Sequence, residues 1–227
     1  MMAIADRFDG IRRVLAGLGA ASIPALAILF LLDDALPYLE FSEASYGRFW
    51  DRSVWLLVHV FGGSLALLAG LLQHWSGFRQ RHGEVHPWIG YVYVAGIALA
   101  AGTAFKLSFH TQDWTFGVAL FTGALVWLAA TCLAVVEAIR GRFDTHREWM
   151  LRSYILTFSF VSFRLVLEIP WVEQLGTEAE VSTTFGWLCW VLPLCTYEFL
   201  RQLRQDQLSG RHIQSGLFSP DAAAPRS

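Results

Sequence analysis

HREWMLRSYILTFSFVSFRLVLEIP, residues His146–Pro170, is long and apolar enough to cross a bilayer, yet it holds one histidine, three arginines and two glutamates. A charged side chain at the centre of a membrane helix costs about 2.5–3.5 kcal/mol on insertion scales. Those groups therefore have to turn inward, to partners or to a polar cavity. A helix advances about 100° per residue, so steps of seven and four stay on one face. His146, Ser153, Thr157, Arg164 and Glu168 are spaced by 7, 4, 7 and 4 and form one polar stripe along the helix. Leu151, Ile155, Leu156, Phe158, Phe163 and Leu165 cover its other sides. Arg164 and Glu168, one turn apart, are expected to pair. Arg152 lies off the stripe, near enough to the inner surface to snorkel.

The rest of the chain places this stretch in a membrane bundle. Of 227 residues, 55% are hydrophobic and only 16% charged, whereas soluble domains average about 25% charged. Val14–Leu32, Val54–His74, Pro87–Phe105 and Trp114–Val136 are uncharged runs of spanning length, and Val181–Leu200 is interrupted only by Glu198. The expectation is an all-α, six-transmembrane-helix bundle over residues 1–201, with spans near 14–33, 54–74, 87–108, 114–138, 147–169 and 181–200. Residues 202–227 read as a polar, disordered cytoplasmic tail. The first span reads as uncleaved, because LLDDALPYLE offers no small-x-small cleavage site.

Loop charge gives an orientation. Arg7, Arg12 and Arg13 precede the first span; Arg79 and Arg81 lie in the second loop; Arg140, Arg142 and Arg147 lie around the fourth; Arg201, Arg204 and Arg211 follow the last span. The intervening loops carry Arg48 and Arg52 among a larger number of acids. Basic residues favour the cytoplasmic side, so both termini are expected there. A net charge of −2 without a basic run gives no sign of a nucleic-acid partner. Cys132, Cys189 and Cys195 all fall in spans without a CxxC, which offers no thiolate metal site.

Two further faces carry chemistry. His59, Gly63, Ala66, Gly70 and Gln73 share one side of the second span. So bare a face suits either close packing of another helix or a flat cofactor such as a porphyrin. His86 opens the third span just before Pro87, which is well placed to start a helix.

Three segments, WLLVHVFGGSLALLAGLLQHW, EVHPWIGYVYV and THREWMLRSYILTFSFVSFRL, together resemble an uncharacterised family of predicted bacterial polytopic membrane proteins, a domain of unknown function. The family's recurring polar positions match His59, Gln73, His86, His146, Arg152 and Arg164; where it has G-P-x-Q, this chain has GLLQ. The resemblance implies a multi-pass protein of the bacterial inner membrane and supplies no activity. A looser likeness is to transmembrane b-type cytochromes. It implies one inner-side haem b ligated by His86 and His146, with Gly63 and Gly70 against the ring and Arg152 on a propionate.

Three functions follow as expectations. The first is haem-based electron transfer with a quinone or another small ligand. The second is a His-ligated zinc enzyme using His82, His86, His74 and His146. The third is a non-enzymatic transporter, lipid-binding protein or accessory subunit in a membrane complex, whose intramembrane His59 and Arg164 take a ligand. Whether the protein is an enzyme stays open at this level.

Overall fold

The computed structural model describes residues 21–217, and every secondary-structure element in that range is helical. Residues 1–20, with the first basic cluster and the start of the first expected span, lie outside the described residues, as do residues 218–227. Five helices are long and apolar enough to cross a membrane. They are α1 (Ala21–Glu40), α2 (Ser53–His74), α3 (His86–Ser108), α4 (Trp114–Ile139) and α5 (Phe143–Leu167). The sixth expected span falls in α6 (Glu178–Leu217), a helix that is not among those five. Ser182, Thr183, Thr184, Thr196 and Glu198 dilute its apolar stretch.

The helix boundaries have local causes. Pro87 sits in the first turn of α3, where its missing N–H costs nothing. Asp113 caps α4, its Oδ1 accepting from the Phe116 amide at 2.9 Å. Gly141, at φ +70, makes the left-handed turn that ends α4. α1 changes winding twice, to a π-helical turn over Leu31–Ala35 and a 3-10 turn over Leu36–Glu40, and stops at Phe41 with φ 45. The chain between α1 and α2 is helical too. Ser42 caps Glu43–Tyr46, and a 3-10 run over Gly47–Arg52 leads into α2.

From residue 191 to residue 217 the chain belongs to a second compact unit and is helical, with Pro193 inside the helix. Residues 202–217, expected to be disordered, are therefore helical. Their Gln, Leu and Arg content favours that state, with Gly210 the main exception.

Within residues 1–190 the core is built on a close crossing of α2 and α3. A Cβ on Gly62 would lie 2.7 Å from the Gly96 carbonyl oxygen and 2.9 Å from the Ala100 nitrogen. A Cβ on Gly96 would meet the Gly62 carbonyl at 2.7 Å and the Ala66 nitrogen at 3.0 Å. Gly62–Ala66 and Gly96–Ala100 are small residues four apart on facing helices, which is what lets backbones touch. The packing glycine is thus Gly62 and not Gly63, beside which a Cβ would meet nothing within 4 Å.

The centre of the bundle holds a hydrogen-bonded polar cluster. The Tyr93 hydroxyl of α3 lies 2.8 Å from Ser153 Oγ and 3.0 Å from Thr157 Oγ1 of α5. Trp127 Nε1 of α4 donates to Thr157 Oγ1 at 3.0 Å, and Thr131 Oγ1 lies 2.7 Å from Ser153 Oγ. Ser153 and Thr157 are buried, so this part of the α5 stripe faces inward as expected. Its hydrogen-bond partners lie on α3 and α4.

Two stability predictions follow from these contacts. Gly62→Leu should destabilise the bundle by about 1–3 kcal/mol, since backbone atoms cannot move aside, while Gly63→Leu should unfold with the wild type in a detergent or thermal titration. Thr157→Val deprives Trp127 and Tyr93 of a shared partner. Intramembrane hydrogen bonds average about 0.6 kcal/mol and reach about 1.7, so a loss near 1 kcal/mol is expected in the same titration.

Candidate functional site

The two ends of the bundle use their polar residues differently. At the end holding His74, His86 and His146, most polar groups are tied to the scaffold. Gln73 Nε2 donates to the His86 carbonyl at 2.7 Å, which locks the end of α2 to the start of α3. Arg79 donates to the Gln73 carbonyl at 3.1 Å. His146 Nδ1 donates to the Ala134 carbonyl at 2.8 Å, joining α5 to α4. His74 Nδ1 donates to the Gly70 carbonyl at 2.9 Å, and its ring stacks on Tyr154 at 4.6 Å. Arg152 is 8% exposed and lies over the Trp149 ring at 4.6 Å, so it is buried and does not snorkel to the surface. Glu137 binds the following loop, accepting from Arg142 Nη2 at 2.7 Å.

This end does not fit a haem lying against the α2 glycines. A Cβ on Gly70 would sit 2.3 Å from Tyr154 Cε2 and 3.0 Å from Tyr93 Cε2, so the flat group in that notch is Tyr154. Gly63 stands two turns away along α2, and a porphyrin over Gly70 would have to displace the Tyr154–His74 stack. Among the described residues no group of three or more His, Cys, Asp or Glu side chains is placed to hold a metal ion.

The other end is open. A cavity of about 530 Å³ lies among α1 to α5, the loops beside them and the start of α6. Phe30, Phe49, Leu56, Phe116, Phe160 and Phe163 supply much of its apolar wall. His59 and Arg164 face it together. His59 is fixed by α3, its Nδ1 donating to the Ala100 carbonyl at 2.8 Å, and Phe160 meets its ring edge-on at 5.5 Å. Phe160 and Arg164 are one turn apart on α5, so the same helix face carries both.

Arg164 is paired, but not with Glu168. Its Nε lies 3.8 Å from Asp34 Oδ1, and its Nη2 lies 3.5 Å from the Tyr38 hydroxyl. Glu168 is exposed at the C-cap of α5, its amide still bonded to the Arg164 carbonyl. Asp34 sits in the π-helical turn of α1, whose wider winding re-aims side chains relative to an α-helix. No periodicity argument could have found it.

The rim carries further charge. Arg48 pairs with Glu178 at 2.6 Å, and Arg52 donates to the His110 carbonyl while its Nε is buried without a partner. Asp113, also at the rim, is held below the usual carboxylate range by the Thr115 hydroxyl and the Phe116 amide. These residues lie in segments that read as loops; the 3-10 end of α1 brings Tyr38 to the site, and the helical connection between α1 and α2 brings Arg48 and Arg52.

The cavity can therefore hold a molecule of modest size with an apolar body and an oxygen-bearing head. Pockets of about 300–1,000 Å³ with apolar walls and a few convergent polar groups are the usual form of small-molecule sites.

No curated protein and no solved structure is found to match the chain. A family model does match, over residues 56–201, which include α3, α4, α5 and all but the first turn of α2. That stretch is most of the sequence, and the chain belongs to the family described as Predicted membrane protein (DUF2306).

Proposed function

We propose that this integral membrane protein is a small-molecule binding protein, a carrier or an accessory subunit, whose working site is the cavity at the His59 and Arg164 end. The observation that carries the reading is the loose Arg164–Asp34 pair at 3.8 Å on the wall of a cavity of about 530 Å³. An ion pair kept only to lock helices is closed by short, saturating hydrogen bonds. Here the guanidinium keeps donors for something that enters the cavity.

With six spans and both termini cytoplasmic, this cavity opens toward the outer half of the membrane, and the basic loop around Arg142 lies inside. Reporter fusions after Arg142 and after Glu180 should then report opposite sides; the same side from both would overturn the orientation. For the site itself, single variants are poor tests. Removing one member leaves the other charged on a membrane helix without its partner, which can lower stability whatever the site does. The double variant Asp34→Asn with Arg164→Gln should keep the wild-type melting temperature. Native mass spectrometry of the gently extracted wild type should show a bound small molecule, or added palmitate or decylubiquinone, and the double variant should show none. A wild type that holds none of these would overturn the proposal.

A further inference from the structure

We infer that the cavity selects a neutral head group with a hydroxyl donor beside an oxygen acceptor, carried on an aromatic ring: the chemistry of a quinol. This rests on the cavity being a ligand site and adds the class of ligand. The Ala100 carbonyl can only accept, so the 2.8 Å contact requires the proton of His59 on Nδ1. A neutral ring in that tautomer has its lone pair on Nε2, and Nε2 is the ring nitrogen left for the cavity that His59 lines. The same carbonyl also accepts from Thr103 Oγ1 at 3.0 Å, one turn further along α3. His59 is thus set as an acceptor, while Arg164 can only donate.

An ionised carboxylate suits this pair poorly. Its lone pairs would meet the lone pair of Nε2, and Asp34 already supplies the negative charge beside Arg164. A neutral group with O–H toward His59 and a second oxygen toward Arg164 satisfies both without adding charge to an apolar site. The walls specify the rest. Phe116 and Phe163 stack at 5.8 Å with an interplanar angle of 21°, and Phe160 stands against His59. Flat aromatic faces of this kind favour an aromatic ring over a flexible chain head.

Three probes test this on the detergent-solubilised full chain by isothermal titration calorimetry: decylubiquinol, its dimethyl ether and palmitate. One hydrogen bond to a fixed acceptor is commonly worth about a factor of ten in affinity. The quinol should therefore bind the wild type at least tenfold more tightly than the ether, and more tightly than palmitate. In His59→Leu the quinol and ether should bind alike, with a melting temperature near that of the wild type. If that variant fails to fold, the wild-type comparison still decides. Equal binding of quinol and ether to the wild type would overturn the inference. So would tighter binding of palmitate, although the cavity would then remain a ligand site. No binding of any probe would overturn both.

Discussion

Backbone contact between α2 and α3 at Gly62 and Gly96 is the constraint on which the rest of the bundle depends. Within hydrocarbon, apolar area does not drive helices together, so close packing and hydrogen bonds must do so. A separation set by carbonyl-to-glycine contact brings the side chains of α2 within reach of the α3 backbone. His59 Nδ1 meets the Ala100 carbonyl because Gly62 and Gly96 have no side chains to hold the helices apart. At the other end of the same pair, Gln73 reaches the His86 carbonyl. Two polar side chains, about fourteen residues and roughly 21 Å apart along α2, are thus satisfied by one geometric condition.

Around that crossing the polar content of α5 divides into two roles. Ser153 and Thr157 form a hub, each bonded to two other helices' side chains or to a neighbouring hydroxyl, and they leave no donor for a ligand. The hub positions α3, α4 and α5 relative to one another. Since Phe160 and Arg164 lie on the following turns of α5, the hub also fixes where they stand against the cavity. A structural network in the middle of the membrane thereby orients a site nearer its edge.

Much of this was legible in the sequence. Hydropathy and length place α2 to α5 within a few residues of where they fold, because a span needs about 20 apolar residues and little else. The inward stripe on α5 was legible from spacing, as were His59 and Arg164 as interior groups. Partners were not. Periodicity on one helix says which side chains share a face and nothing about which helix covers it, so the partners of Ser153 and Thr157 on α3 and α4 could not be named from spacing. The stretch GGSLA contains two adjacent glycines, and only their packing shows that Gly62 touches and Gly63 does not. The Asp34 pairing was hidden by a π-helical turn, and Arg48, Arg52 and Tyr38 by helical structure in a segment that reads as a loop.

The cost of keeping Arg164 in a membrane helix has to be set against what its partner returns. Glu137 and Arg142 show how this chain makes an ion pair that only holds structure. The carboxylate accepts from Arg142 Nη2 at 2.7 Å, and the pair bridges a helix end to the loop that follows it. Arg164 and Asp34 have the same charges at 3.8 Å, without a hydrogen bond that short, and the arginine side chain is 41% exposed. A buried pair is often replaceable by apolar residues at no loss of stability, and a loose one contributes less still. Stability is therefore a weak reason for a guanidinium here. Its position beside His59, among aromatic rings, at the wall of a cavity is a stronger one.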